Sequence, residues 1–228
     1  MNCLNCDRII QENITLRELF SWQSLTPEIL CKECRRMFIS QKIDKNKGCK
    51  ICHAFGEESI CDECLEWRNI YGCDYQHHSC FYYNKFFSEW LERFKRQGDY
   101  VLGQIFAKEI ARAVIDIHPD LVVPMPSATA HLAERGFNQV AVMLEFAGVS
   151  YIEPLVMTES SGSQSKKTRE ERLRAIINFE LKEDYRSVLT QRSILLVDDV
   201  YTTGTTLHRA AHALAPYVKK IETFSLCR

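Results

Sequence analysis

The spacing of apolar residues changes period several times along this chain, and the changes mark out its elements. Between Leu16 and Leu30 some apolar residues recur at helical spacing, and Pro27 suits the start of a short second helix ahead of Cys31. Ser79-Cys80-Phe81-Tyr82-Tyr83 reads as an aromatic strand. From about Lys85 to Arg96, the residues Phe86, Phe87, Trp90, Leu91 and Phe94 form one apolar stripe and predict a helix. A second helix is predicted from about Tyr100 to Ile117, then a strand Leu121–Val123 that closes on Pro124-Met125-Pro126. A helix over Asn138–Phe146 and strands over Tyr151–Met157 and Asn178–Leu181 follow, with a Ser-rich, aperiodic loop from Thr158 to Arg169. Alternating strands and helices imply a parallel sheet with right-handed crossovers.

The strongest single stretch is Ile194-Leu195-Leu196-Val197-Asp198-Asp199-Val200-Tyr201-Thr202-Thr203-Gly204-Thr205-Thr206-Leu207. Its apolar run reads as a buried parallel strand. Two carboxylates end the strand, and a Thr/Gly turn opens a helix from Gly204 to Ala215, which Pro216 stops; Lys220–Leu226 gives a final strand. Such a turn offers backbone N–H groups and hydroxyls at a helix N-terminus, a ready anion site. Helix capping accounts for one threonine, not for four behind two acids. Paired acids beside a phosphate cradle suit a ribose 5-phosphate, with vicinal hydroxyls at one end and phosphate at the other.

Cysteine is the second signal. Four C-x-x-C pairs, Cys3/Cys6, Cys31/Cys34, Cys49/Cys52 and Cys61/Cys64, account for eight of the eleven cysteines. Two such knuckles make a closed S₄ site, so four predict two structural zinc ions. Sequential pairing and a cross-braced arrangement both fit the spacing. A region with so small a core needs its metal, which contributes on the order of 10–16 kcal/mol to such a unit. Cys73, His77, His78 and Cys80 fit no usual zinc pattern and read as packed residues, as does Cys227.

Composition narrows the rest. The chain has 228 residues, 46% hydrophobic and 26% charged, with net charge −1. That is ordinary globular material, long enough for two domains, and it excludes a protein that is basic throughout. No apolar run approaches a membrane span, and the N-terminal residues carry no apolar signal core, which predicts a cytosolic setting where thiols stay reduced.

The Asp-Asp and Thr-Thr-Gly-Thr-Thr order resembles the 5-phosphoribosyl-1-pyrophosphate (PRPP) loop of type I phosphoribosyltransferases. Lys95-Arg96-Gln97-Gly98-Asp99 and Arg135-Gly136-Phe137-Asn138-Gln139 behind a cysteine-rich head are similar to the ComF family of competence proteins. The resemblance implies an α/β fold: a type I phosphoribosyltransferase parallel sheet flanked by helices over residues 71–228, with a small double zinc-ribbon domain over 1–70, the junction falling near Tyr71-Gly72. It implies that Asp198 and Asp199 hold the ribose hydroxyls and act catalytically. Thr202, Thr203, Gly204, Thr205 and Thr206 would hold the 5′-phosphate, with Lys95, Arg135 and Arg169 as further substrate-binding cations. Arg135 suits a diphosphate because its planar fork pairs phosphate oxygens bidentately.

The family's lid segment is matched by Gln164, Arg169 and Arg172, but Lys167 stands where leucine is usual and Ala175 where asparagine is usual. Lys166, Lys167, Arg169, Arg172 and Arg174 form a basic cluster there, which reads either as part of a functional lid or as a solvated helix start with Glu170 and Glu171 as partners. As implied ligands the resemblance gives PRPP or ribose 5-phosphate with Mg²⁺, beside the two zinc ions. As implied biology it gives DNA uptake, with single-stranded DNA and a competence DNA helicase as partners. Pyrophosphate would leave through an oxocarbenium-like state, and no residue names the acceptor. An alternative is a non-catalytic, DNA-handling or helicase-partner module that uses the same site for a nucleotide or metabolite.

Overall fold

A computed structural model describes residues 1–10, 28–159 and 177–228. The expected helical stretch around Leu16–Leu30 falls largely outside the described residues, as does the basic segment from Lys166 to Arg174 with its lid residues.

Four parallel strands form the main sheet: β1 (His77–Phe81), β2 (Leu121–Pro124), β5 (Ser193–Val200) and β6 (Lys220–Cys227), in the order β1-β6-β5-β2. β5 is buried along its apolar run, Ile194 to Val197 each being 1% exposed or less, as expected for a strand covered on both faces. Alternation along the strands sorts the core into two halves. Val122, Leu195, Val197, Phe224 and Leu226 face one side, and Val123, Ile194, Leu196 and Ile221 the other.

The first side is covered by α3 (Lys85–Arg96), a 3₁₀ segment Tyr100–Phe106, α4 (Ala107–Ile117) and α6 (Gln139–Phe146), with Phe87, Trp90, Phe94 and Phe106 fully buried. The second is covered by α8 (Thr205–Leu214), by Leu189 of α7 (Arg186–Leu189), and by a separate antiparallel pair, β3 (Leu155–Glu159) with β4 (Ile177–Leu181). Two helices complete the N-terminal region, α1 (Lys32–Ile39) and α2 (Asp62–Tyr71), and a short α5 (Thr129–Arg135) follows β2.

Three elements depart from their sequence expectation, each for a local reason. The aromatic strand lies at His77–Phe81 rather than Ser79–Tyr83, because its partner β6 ends at Cys227, opposite Phe81. His77 can enter the sheet because Thr223, Ser79 and Ser225 hydroxyls lie 2.8–3.0 Å from its ring nitrogens, and burial keeps the imidazole neutral. The helix expected from Tyr100 begins as 3₁₀: Gly103 sits where a Cβ would come 3.1 Å from Val142 and 3.3 Å from Phe94, so the segment packs tightly against α3 and α6. The strand expected over Tyr151–Met157 is two pieces. Ile152 donates to the Val122 carbonyl beside β2, then Pro154, which has no N–H, ends that run, and β3 turns to pair antiparallel with β4.

Candidate functional site

The strands being parallel, their carboxyl ends share one edge, where open α/β sheets bind ligands. β5 carries Asp198 and Asp199 to that edge. Asp199 is 4% exposed, and Lys95 Nζ, from the last turn of α3, lies 2.5 Å from its Oδ2. Lys95 is thus the ion-pair partner of the buried Asp199 carboxylate. Asp198 accepts the Asp199 backbone N–H at 2.8 Å. Burial, then the neighbouring Asp199 charge, push the Asp198 carboxyl up to about 7, with that backbone donor and Lys95 opposing the rise. The edge therefore holds two acids and one cation, with acceptor capacity to spare.

Past Tyr201 the chain turns through Thr202 and Thr203 to Gly204, which has φ +77° and precedes α8 with no side-chain cap. The first N–H groups of α8 are thus open to a ligand. Thr203 and Thr205 hydroxyls lie 2.8 Å apart on the exposed side of the turn. A Cβ on Gly204 would come within 2.2 Å of the Tyr201 hydroxyl, so both conformation and space demand glycine. We expect Gly204→Ala to cost more than about 1 kcal/mol from the left-handed backbone alone. Thermal unfolding of the variant checks this, and a melting temperature equal to wild type would contradict the turn geometry.

The loop after β2 is tied to the Arg135–Gln139 run. Asn138 caps α6, its Oδ1 accepting from Val140 N at 2.9 Å, and its Nδ2 donates to the Met125 carbonyl at 3.0 Å. Gln139 Oε1 accepts from Ser127 Oγ at 3.2 Å and also from Arg135 Nη1. Arg135 is therefore held beside the Pro124–Ser127 turn rather than paired with Glu134 or Glu145; Glu145 instead accepts from Tyr100 and Tyr151 hydroxyls. The structure brings together Asp198, Asp199, Lys95 and the Thr202–Thr206 turn, with Arg135 at the C-terminal end of α5, beside the β2 loop. Arg169 lies outside the described residues.

The cysteines gather in two groups, Cys3/Cys6/Cys31/Cys34 and Cys49/Cys52/Cys61/Cys64, the sulfurs of each within 4.8 Å of one another. Tetrahedral zinc with Zn–S of about 2.3 Å sets its sulfurs about 3.8 Å apart. Here Cys6–Cys31, Cys49–Cys64 and Cys52–Cys61 are separated by 3.7, 3.8 and 3.5 Å. Backbone N–H groups of Cys34 and Cys61 point at the Cys31 and Cys49 sulfurs, at 3.5 and 3.4 Å, as donors do around thiolate ligands. The residues fit zinc, and of the two pairings open in the sequence the structure adopts the sequential one. The groups lie on opposite sides of the sheet: Cys3, Cys31 and Cys34 pack into the α3/α4/α6 half of the core, and Cys49, Cys52 and Cys64 into the α8 half.

The second group also reaches the Thr/Gly turn. Trp67 of α2 donates its indole N–H to the Thr203 carbonyl at 2.8 Å, and its ring stacks on His208 at 4.8 Å. Arg228 lies over the Tyr201 ring at 4.8 Å and pairs with Glu63 at 3.2 Å. None of these roles was legible in the sequence; the one available cue was that an indole N–H packed against protein needs an acceptor.

A strand ending in two acids, a Thr/Gly turn opening a helix, and a parallel sheet beneath them define the phosphoribosyltransferase class. The phosphoribosyl transferase domain family matches residues 101–228. The competence protein ComFC of Streptococcus pneumoniae is 31% identical over the full length of both chains. ComFC of Bacillus subtilis is 32% identical over 99% of this chain and 94% of its own. The chain belongs to the ComFC family of competence proteins, with a type I phosphoribosyltransferase fold and two Cys₄ groups. Among solved structures, a hypoxanthine phosphoribosyltransferase from Staphylococcus aureus aligns at 15% identity with a TM-score of 0.33, over 53% of this chain and 60% of its own.

Proposed function

We propose that the chain binds PRPP, through its ribose 5-phosphate moiety, and is a phosphoribosyltransferase serving DNA uptake. The observation that carries this reading is the pair of adjacent acids, Asp198 and the buried Asp199, served by one cation, Lys95, just before a helix N-terminus with no side-chain cap. A buried acceptor with spare capacity is costly unless a ligand donates to it. Vicinal hydroxyls are donors of the right kind, and a phosphate on the same sugar reaches the α8 N-terminus.

In this reading Asp198 and Asp199 accept from the ribose hydroxyls and stabilise positive charge developing on the sugar ring. The Thr202–Thr206 turn holds the 5′-phosphate. Arg135, at the C-terminal end of α5, meets the diphosphate, and Arg169 completes the substrate cations. Asp198 and Asp199 would stand beside a Mg²⁺ brought with the ligand, and the ion would supply neutralisation of leaving-group charge. The two Cys₄ groups hold structural zinc, which needs reduced thiols and so favours a cytosolic setting. Among the described residues no helix is long and apolar enough to cross a membrane.

The name of the two ComFC relatives, competence protein, supports the DNA-uptake role. It makes single-stranded DNA and a competence DNA helicase the partners to try first. Calorimetry with ribose 5-phosphate, PRPP·Mg²⁺ and plain ribose tests the site. We expect the two phosphorylated ligands to bind and ribose to bind far more weakly; no binding of either phosphorylated ligand would end the reading. Pyrophosphate release with a panel of nucleobase and amine acceptors then separates a transferase from a binding module.

A further inference from the structure

The contact between α2 and the Thr/Gly turn has a consequence for the shape of the turn. The Thr203 carbonyl and the Gly204 N–H belong to one planar trans peptide, so they point in opposite directions. With the carbonyl held toward α2 by the Trp67 indole at 2.8 Å, the Gly204 N–H must point away from α2. Gly204, at φ +77°, has the backbone freedom to let this peptide rotate, and the Trp67 hydrogen bond opposes that rotation.

Trp67 itself is fixed from behind. Its ring stacks on His208 with an interplanar angle of 15°, and Tyr71 one turn later lies 4.7 Å from His212, so α2 is clamped along α8. At its other end α2 starts from the sulfur cluster: Cys61 is its N-cap and Cys64 lies in its first turn. Cys64 is 2% exposed, three residues before Trp67.

We propose that Trp67 is the positioning residue of the phosphate loop, and that through it metal in the Cys49/Cys52/Cys61/Cys64 unit and phosphate on the loop strengthen one another's binding. The inference rests on the reading of the loop as a 5′-phosphate site. The indole fixes the Gly204 N–H on the ligand side, and the metal fixes the start of the helix that carries the indole. Linkage makes the effect reciprocal: whatever factor metal loading adds to phosphate affinity, phosphate adds to metal affinity.

The test uses the full, metal-loaded chain and Trp67→Phe, which keeps a ring to stack on His208 and removes the N–H donor. One neutral hydrogen bond corresponds to roughly a fivefold change in binding. Trp67→Phe should therefore bind ribose 5-phosphate about fivefold more weakly, with metal content unchanged and the melting temperature lowered by about 2–4 °C at most. A second measurement reads the coupling itself. With cadmium in place of zinc, each Cys₄ unit gives its own NMR signal, and loss of the second unit's signal can be followed against added chelator. Saturating ribose 5-phosphate should raise the chelator concentration needed severalfold in wild type and not in Trp67→Phe.

Wild-type binding together with an unaltered Trp67→Phe affinity would overturn the positioning role. The same ligand protection of metal in both proteins would overturn the coupling. If wild type does not bind ribose 5-phosphate at all, the phosphoribosyl reading itself fails, and the inference falls with it.

Discussion

Replacing Asp198 and Asp199 together by asparagine is expected to weaken PRPP·Mg²⁺ binding at least tenfold, and by about a hundredfold or more if each acid makes one charged hydrogen bond. The magnitude follows from roughly 1.5–3 kcal/mol for a hydrogen bond to a charged group. Asparagine keeps the size and removes the charge, so the fold should survive; calorimetry on both proteins gives the answer. Wild-type affinity in the double variant would remove the acids from the site.

The pair also predicts a pH profile. The Asp198 carboxyl is raised to about 7 in the folded chain from an ordinary 3.8, so the native state keeps a proton that the unfolded chain has released. Its contribution to stability is therefore full below about pH 4 and lost as pH rises towards 7. Ribose hydroxyls and a nearby cation favour the carboxylate, so binding expels that proton. Affinity should fall below pH 7 by up to about tenfold per unit, and level off above it. The phosphate of the ligand titrates near this range, at about 6, so the decisive comparison is with Asp198→Asn, whose profile should lose the part contributed by the carboxyl. Parallel profiles in the two proteins would contradict the assignment.

Metal removal is the other large effect. We expect two zinc ions per chain by elemental analysis, and on the order of 10–16 kcal/mol of folding free energy from each Cys₄ unit. The cysteines of the first unit share a core with α3 and Phe106, and those of the second with α8 and β5. Loss of metal should therefore loosen both faces of the sheet as well as the N-terminal region. Changing Cys49 to serine strands three thiolates and should cost far more than a surface substitution. Hydrogen exchange under chelation would show it: β5 amides that stay fully protected in metal-free protein would argue that the sheet stands alone.

Much of this was legible in the sequence because the decisive residues are close together in it. β5, the paired acids and the Thr/Gly turn occupy one continuous stretch, and each C-x-x-C knuckle spans four residues. What escaped depends on distance. Trp67 meets Thr203 across 136 residues, and nothing in the local pattern around either announces the other. Which knuckles pair, and which face of the sheet each unit covers, depends on the path of the chain around β1. The break at Pro154 was visible as a residue, but its effect depends on β2 ending beside it, which a local reading of Tyr151–Met157 does not contain.

The strand order has a consequence for how the chain is made. β1 pairs with β6, and its His77 has a buried hydroxyl partner, Thr223, that the ribosome adds 146 residues later. Through most of synthesis an aromatic strand with an embedded histidine waits without its neighbour, while the cysteine knuckles upstream have already emerged. Metal capture can precede sheet formation, and a nascent chain already closed around its ions presents less loose apolar surface to other chains. Starving cells of zinc during translation should then harm yield more than withdrawing it from finished protein.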